Sequence, residues 1–207
     1  MTPVSRRAFA AAAMASLLVG CGGGNQAPRT RQTTAGHRES TPPPSSTPVK
    51  RARALARSAP VRLRIPAIGV DTPVMRLGLA ADGTVQVPPI TAHDRAGWYR
   101  DSPTPGQVGP SVILGHVTVG AYGDGVFRHL SRLHRGDRIE ARLENGTAAV
   151  FAVSSVRTVA KADFPADDVY GNVDRPELRL ITCGGPRSGS VYRDNVIVFA
   201  ALSPTSP

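Results

Sequence analysis

Glu177-Leu178-Arg179-Leu180-Ile181-Thr182-Cys183-Gly184-Gly185 reads as a short strand that delivers a cysteine at its end and then opens into two glycines. A strand end is a rigid footing for a nucleophile, and glycines remove side chains that would obstruct a peptide substrate. The competing reading of Cys183 is a small buried hydrophobe. Two further segments end or begin on residues that suit a thiol. Ile113-Leu-Gly-His116 carries a histidine able to exchange a proton with it. Val191-Tyr-Arg193 opens a strand expected to return beside Cys183, with a guanidinium fitted to hold a developing oxyanion. Arg193 could instead pair with Asp194. Among the other histidines, His93 is the competitor to His116; His37, His129 and His134 lie in polar or basic stretches.

Outward from these strands the chain keeps the same texture. Val61–Ile65, Thr72–Leu79, Thr84–Val87, Ser111–Gly115, Arg138–Leu143, Ala148–Val159 and Asn195–Leu202 are short apolar or alternating runs of strand length. Asp82-Gly83 and Asn145-Gly146 separate such runs and predict hairpins, because these dipeptides accept positive φ. Helical patterning is confined to Val126–Leu133 and Pro165–Val169. About eight short strands without a long amphipathic helix indicate a mostly β domain, closed as a barrel of antiparallel or mixed pairing. A β-sandwich is the alternative.

The 207 residues carry a formal charge of +10, but the excess is local. Residues 1–60 hold nine basic groups against Glu39 alone, +8 of that total. The remainder is nearly neutral and poor in aromatics, which excludes a nucleic-acid-reading face. Ser5-Arg6-Arg7-Ala8-Phe9 followed by an Ala-rich run to Gly20 reads as a twin-arginine-like signal peptide, too short to span a bilayer. Leu18-Val19-Gly20-Cys21 resembles a lipobox, which implies diacylation at Cys21 and a membrane anchor through an N-terminal lipid. Residues 21–59 are Pro-, Thr- and Ser-rich and are expected to form a disordered basic tether, with a coil span of about 35 Å. The catalytic domain is expected over 60–204, extracytoplasmic and tethered to the outer face of the membrane. With Cys21 acylated, Cys183 has no partner for a disulfide, and an exported chain rarely leaves a thiol unpaired without use.

Leu63-Arg-Ile-Pro-Ala-Ile-Gly-Val70, Ala96-Gly-Trp-Tyr99 with Pro105-Gly106, Ile113-Leu-Gly-His116-Val, Thr182-Cys183 and Tyr192-Arg193-Asp194-Asn195-Val together resemble the sortases, specifically the actinobacterial class F, close to class E. The resemblance implies a closed, eight-stranded sortase-type β-barrel as a single domain with short helices. It also implies a cysteine transpeptidase in which Cys183, His116 and Arg193 are catalytic, with Thr182, Gly184 and Leu114 at the substrate. In that family the thiolate attacks the Thr carbonyl of a Leu-Pro-x-Thr-Gly-like sorting signal, and an amine releases the acyl group. The implied partners are surface proteins bearing that C-terminal signal and an amine acceptor on a cell-wall precursor or another protein. Arg179 stands where many sortases carry Thr. No Gly-x-Ser-x-Gly elbow, phosphate-binding loop or His/Cys cluster at metal-ligand spacing is present, so no cofactor and no metal are expected. Asp163, Asp167 and Asp168 read as a solvated acidic loop. A cysteine peptidase using water would have an identical site; a non-catalytic lipoprotein binding module is the other alternative, and the presence of all three catalytic residue types weighs against it.

Overall fold

The computed structural model describes residues 52–189 and 191–204. The signal peptide, Cys21 and the tether as far as residue 51 lie outside the described residues. Ten strands occur in chain order: β1 (Pro60–Ile65), β2 (Val70–Leu77), β3 (Ala96–Tyr99), β4 (Gly109–Leu114), β5 (Thr118–Val119), β6 (Gly123–Asp124), β7 (Arg138–Leu143), β8 (Ala148–Ala160), β9 (Pro176–Ser188) and β10 (Val191–Leu202). One helical turn, α1, covers Ala166–Tyr170. Eight strands close a barrel in the order β1-β2-β3-β4-β9-β10-β8-β7, and β5 with β6 forms a small separate ladder. Pairing of β7 with β1 completes the circle, which excludes the sandwich. The barrel is mixed, with β2–β3 and β4–β9 parallel.

Alternation along the strands separates two apolar layers. Leu178, Leu180, Val196, Val198 and Ile113 point into the barrel with Phe127 and Phe151. Val112, Leu114, Ile181, Ile197 and Phe199 point outward and are roofed by Val169 of α1. Both faces of β9 are therefore buried below Cys183, each fully buried Leu or Ile stabilising the fold by about 1.5–3 kcal/mol. Arg179 falls on the roofed face and is only 3% exposed. Its guanidinium lies 4.6 Å over the Phe199 ring, pairs with Glu177 at 2.6 Å and donates to the Asp168 carbonyl at 3.2 Å. A charge buried this deeply persists only when it is paired and hydrogen-bonded in this way. Asp168 also pairs through its carboxylate with Arg157 at 2.7 Å.

Two expectations need correction, while the chain turns back at both expected hairpins. The tether does not run free to residue 59: Leu55 donates its N–H to Gly106 (2.8 Å) and packs against the core, and Ser58 donates to Thr104 Oγ1 (3.3 Å). An apolar Leu and two pairing sites bring 52–59 onto the barrel. Thr84–Val87 is no strand but contributes one bridge, Leu79 with Val85, because Pro88-Pro89 ends the pairing and leaves Val87 exposed. Both hairpin turns are three-residue loops in which only the glycine is left-handed, Gly83 at φ 81° and Gly146 at φ 81°. Asp82 and Asn145 instead accept the N–H two residues on, from Thr84 and Thr147, each at 3.0 Å.

Candidate active site

Register along β9 assembles the site. Leu114 of β4 pairs in parallel with Ile181, and Gly115 donates its N–H to the Ile181 carbonyl at 3.1 Å. Two residues further along both chains stand Cys183, still within β9 and on the outward face with Ile181, and His116, just past the end of β4. On the other flank Asn195 of β10 pairs with Cys183. Cys183 is a free, half-buried thiol.

Beyond Cys183 the β9–β10 ladder bulges. Gly184 pairs with Asp194 and Arg187 with Tyr192, which leaves Gly185 and Pro186 opposite the single Arg193. Gly185 adopts φ 72°, and a Cβ there would run into the Asp194 carboxylate. Pro186 has no N–H to lose from the ladder. In a regular ladder Arg193 would be one diagonal step from Cys183, about 7–8 Å between Cα atoms and within reach of a guanidinium. Arg193 is exposed, and among the described residues no ion pair or hydrogen bond engages its side chain, so the pairing with Asp194 is not formed.

His116 is half-buried and held from two sides. Its Nε2 lies 2.6 Å from the Pro88 carbonyl. A carbonyl only accepts, so Nε2 carries the proton, and Nδ1 is the ring nitrogen available to exchange one. Its backbone is clasped by the following segment: Phe127 donates to the His116 carbonyl and Gly125 to the Val117 carbonyl, both at 2.9 Å. Pro88 and Gly125 went unrecognised in the sequence. A main-chain carbonyl leaves no residue-type signal, and Gly125 was one glycine among many. His93 belongs to the supporting wall, its ring 5.6 Å from that of Tyr122 and its carbonyl accepting from Val126 at 2.9 Å.

The residues expected at the substrate divide. Gly184 leaves the backbone bare beside Cys183, and a Cβ there would sit 2.6 Å from Val196 Cγ2. Thr182 points into the barrel at 4% exposure and Leu114 joins the outer apolar layer at 8%. Side chains packed this way support the site from within rather than line it. Near the roof, the Tyr170 ring meets Tyr99 edge-on at 6.5 Å, and burial, then the Tyr99 phenol, raise the pKa of Tyr170. Among the described residues no group of three or more His, Cys, Asp or Glu is placed to hold a metal ion.

A family model described as the sortase domain matches residues 63–203. The chain belongs to the sortase family. Sortases are cysteine transpeptidases that attach proteins to the cell surface. Solved sortases share the fold at low identity. Sortase C-1 from Actinomyces oris is 21% identical with a TM-score of 0.53, over 70% of this chain and 73% of that one. Sortase A from Corynebacterium diphtheriae is 20% identical with a TM-score of 0.55, over 73% of this chain and 64% of that one. A Clostridium perfringens sortase D5 transpeptidase is 23% identical with a TM-score of 0.53, over 70% and 79%. Among curated proteins no sequence matches the chain.

Proposed function

We propose that this sortase cuts a Leu-Pro-x-Thr-Gly-like sorting signal after its Thr through an acyl-enzyme on Cys183, and passes the acyl group to an amine. The observation that supports this reading is the register: Cys183 pairs with Asn195, and the β4–β9 ladder ends at Leu114 and Ile181, two residues short of His116 and Cys183, with Arg193 at the adjoining bulge. The Cys183 thiolate adds to the Thr carbonyl, and Arg193 stabilises the oxyanion. His116 then protonates the departing glycine nitrogen as the C–N bond breaks and the thioester forms. An incoming amine attacks the thioester, His116 takes its proton, and Cys183 leaves as thiolate.

The wider assignment follows the same reading. The chain is a class F enzyme close to class E, exported by its twin-arginine-like signal and held at the outer membrane face by a lipid on Cys21. Its partners are surface proteins with a C-terminal sorting signal and an amine on a wall precursor or a second protein. The test is product analysis by mass spectrometry: the full chain with Leu-Pro-x-Thr-Gly peptides varied at x, with and without oligoglycine, beside Cys183→Ala. Cleavage after Thr with an amine-dependent ligated product is expected. Cleavage with no ligation under any amine would mark a peptidase using water, and no cleavage of any peptide would favour a binding module.

A further inference from the structure

Two pieces of the site lie outside the closed barrel. The His116 segment leaves the β4 ladder after Gly115 and continues into β5, whose only strand partner among the described residues is β6. The start of β10, with Arg193 in the bulge and Tyr192 beyond it, has only the far end of β9 as a strand partner. Barrel hydrogen bonds therefore fix Cys183 directly but leave His116 and Arg193 on two projecting arms. Between these arms the Thr118 hydroxyl and the Tyr192 hydroxyl form a hydrogen bond of 2.7 Å. Among the described residues it is the one hydrogen bond that joins them. Thr118 is the second residue after His116, and Tyr192 is the residue before Arg193. The Tyr192 ring is itself held, with the Arg187 guanidinium 4.7 Å over its centroid from the paired position on β9.

We infer that Tyr192 is a positioning residue for transpeptidation: by hydrogen-bonding Thr118 it sets the separation of His116 and Arg193. The inference rests on the assignment of Cys183, His116 and Arg193 made above. A substrate carbonyl must meet thiolate, imidazole and guanidinium at once, and displacement of a catalytic group by about 1 Å can cost about a hundredfold in rate. Loosening one hydrogen bond between two arms that keep their other contacts is a smaller perturbation, expected to cost about tenfold in kcat. Substrate binding should change little, because neither substitution removes a group assigned to the reaction.

The experiment compares the full chain with Tyr192→Phe, Thr118→Val, the double variant, Thr118→Ser and Cys183→Ala. It reads kcat and KM on Leu-Pro-x-Thr-Gly peptides, the melting temperature, and the pH profile of Cys183 alkylation by iodoacetamide, located by peptide mass spectrometry. The latch predicts that both single removals lower kcat about tenfold with KM within about twofold, and that the double variant is no worse than either. It also predicts that Thr118→Ser, which keeps a hydroxyl, recovers most of the rate. Unchanged kcat, additive losses, or a lower melting temperature without a change in kcat would each overturn it. If Cys183→Ala still ligates peptide, the assignment of the nucleophile fails first and the latch falls with it. If Cys183→Ala is inactive while Tyr192→Phe turns over normally, the latch alone fails. Should no peptide react, alkylation profiles that coincide in the unsubstituted, Tyr192→Phe and Thr118→Val proteins overturn the latch, and profiles shifted alike in both variants support it.

Discussion

Gly125→Ala adds one methyl group and should disable the site through His116. An ideal Cβ at Gly125 lies 2.7 Å from the His116 Cβ and 2.5 Å from its carbonyl carbon. Non-bonded carbons rest at about 3.5–4.0 Å, so the two segments must part by about 1 Å. The obstacle is backbone, which no rotamer change can move aside. Gly125 is not among the glycines with positive φ, so the perturbation is steric and not conformational. What can give are the hydrogen bonds from Gly125 to Val117 and from Phe127 to His116, both 2.9 Å, and yielding there carries the imidazole away from Cys183. A shift of that size predicts a loss of about a hundredfold in kcat. Overpacking of this kind costs about 1–3 kcal/mol of stability, a melting-temperature drop of roughly 3–10 °C. The assay is kcat on the cleaved peptide beside a thermal melt of the same preparation. A folded Gly125→Ala protein with kcat within about threefold of the unsubstituted chain would refute the reasoning.

Arg179→Met removes one member of a buried pair and leaves Glu177 with the more exposed Arg175, so unfolding in urea should report a loss of about 3 kcal/mol. Adding Glu177→Gln to that variant should restore part of it. Asp71 is held below the usual carboxylate range chiefly by the hydrogen bond from Arg62, with Arg64 at 3.3 Å assisting. Because its folded pKa lies below the unfolded one, its stabilisation is present above about pH 4 and is lost as pH falls through the folded value. The melting-temperature difference between the unsubstituted chain and Asp71→Asn should be largest near neutrality and vanish on acidification; a difference that grew toward low pH would contradict this.

Strands with one face toward the core were legible because their alternation is the imprint of burial. Arg138–Leu143, Ala148–Val159 and Asn195–Leu202 lie within or match β7, β8 and β10. β3 was visible only as the motif Ala96-Gly-Trp-Tyr99. It is four residues long and contains Gly97, which must stay bare because Leu77 Cγ would lie 2.6 Å from a Cβ there. Extension of β9 past Thr182 to Ser188 was masked by Gly184, Gly185 and Pro186, residues that read as a stop and in fact build a bulge. In the candidate site the three residue types were readable, while the strand end expected at Cys183 is replaced by a bulge and β9 runs on to Ser188. What orients them was not readable. Pro88 acts through its carbonyl, Gly125 through the absence of a side chain, and Thr118 with Tyr192 through a pairing across 74 residues of chain.

Trapping the covalent intermediate tests the central assignment most directly. The full chain is incubated with a Leu-Pro-x-Thr-Gly peptide without amine, quenched in acid, digested and weighed. The account predicts that the Cys183 peptide gains the mass of the acyl fragment ending in Thr, that added oligoglycine discharges it into ligated product, and that Cys183→Ala gains nothing. Peptide cleavage that persists in Cys183→Ala, or an adduct carried on any residue other than Cys183, would contradict it.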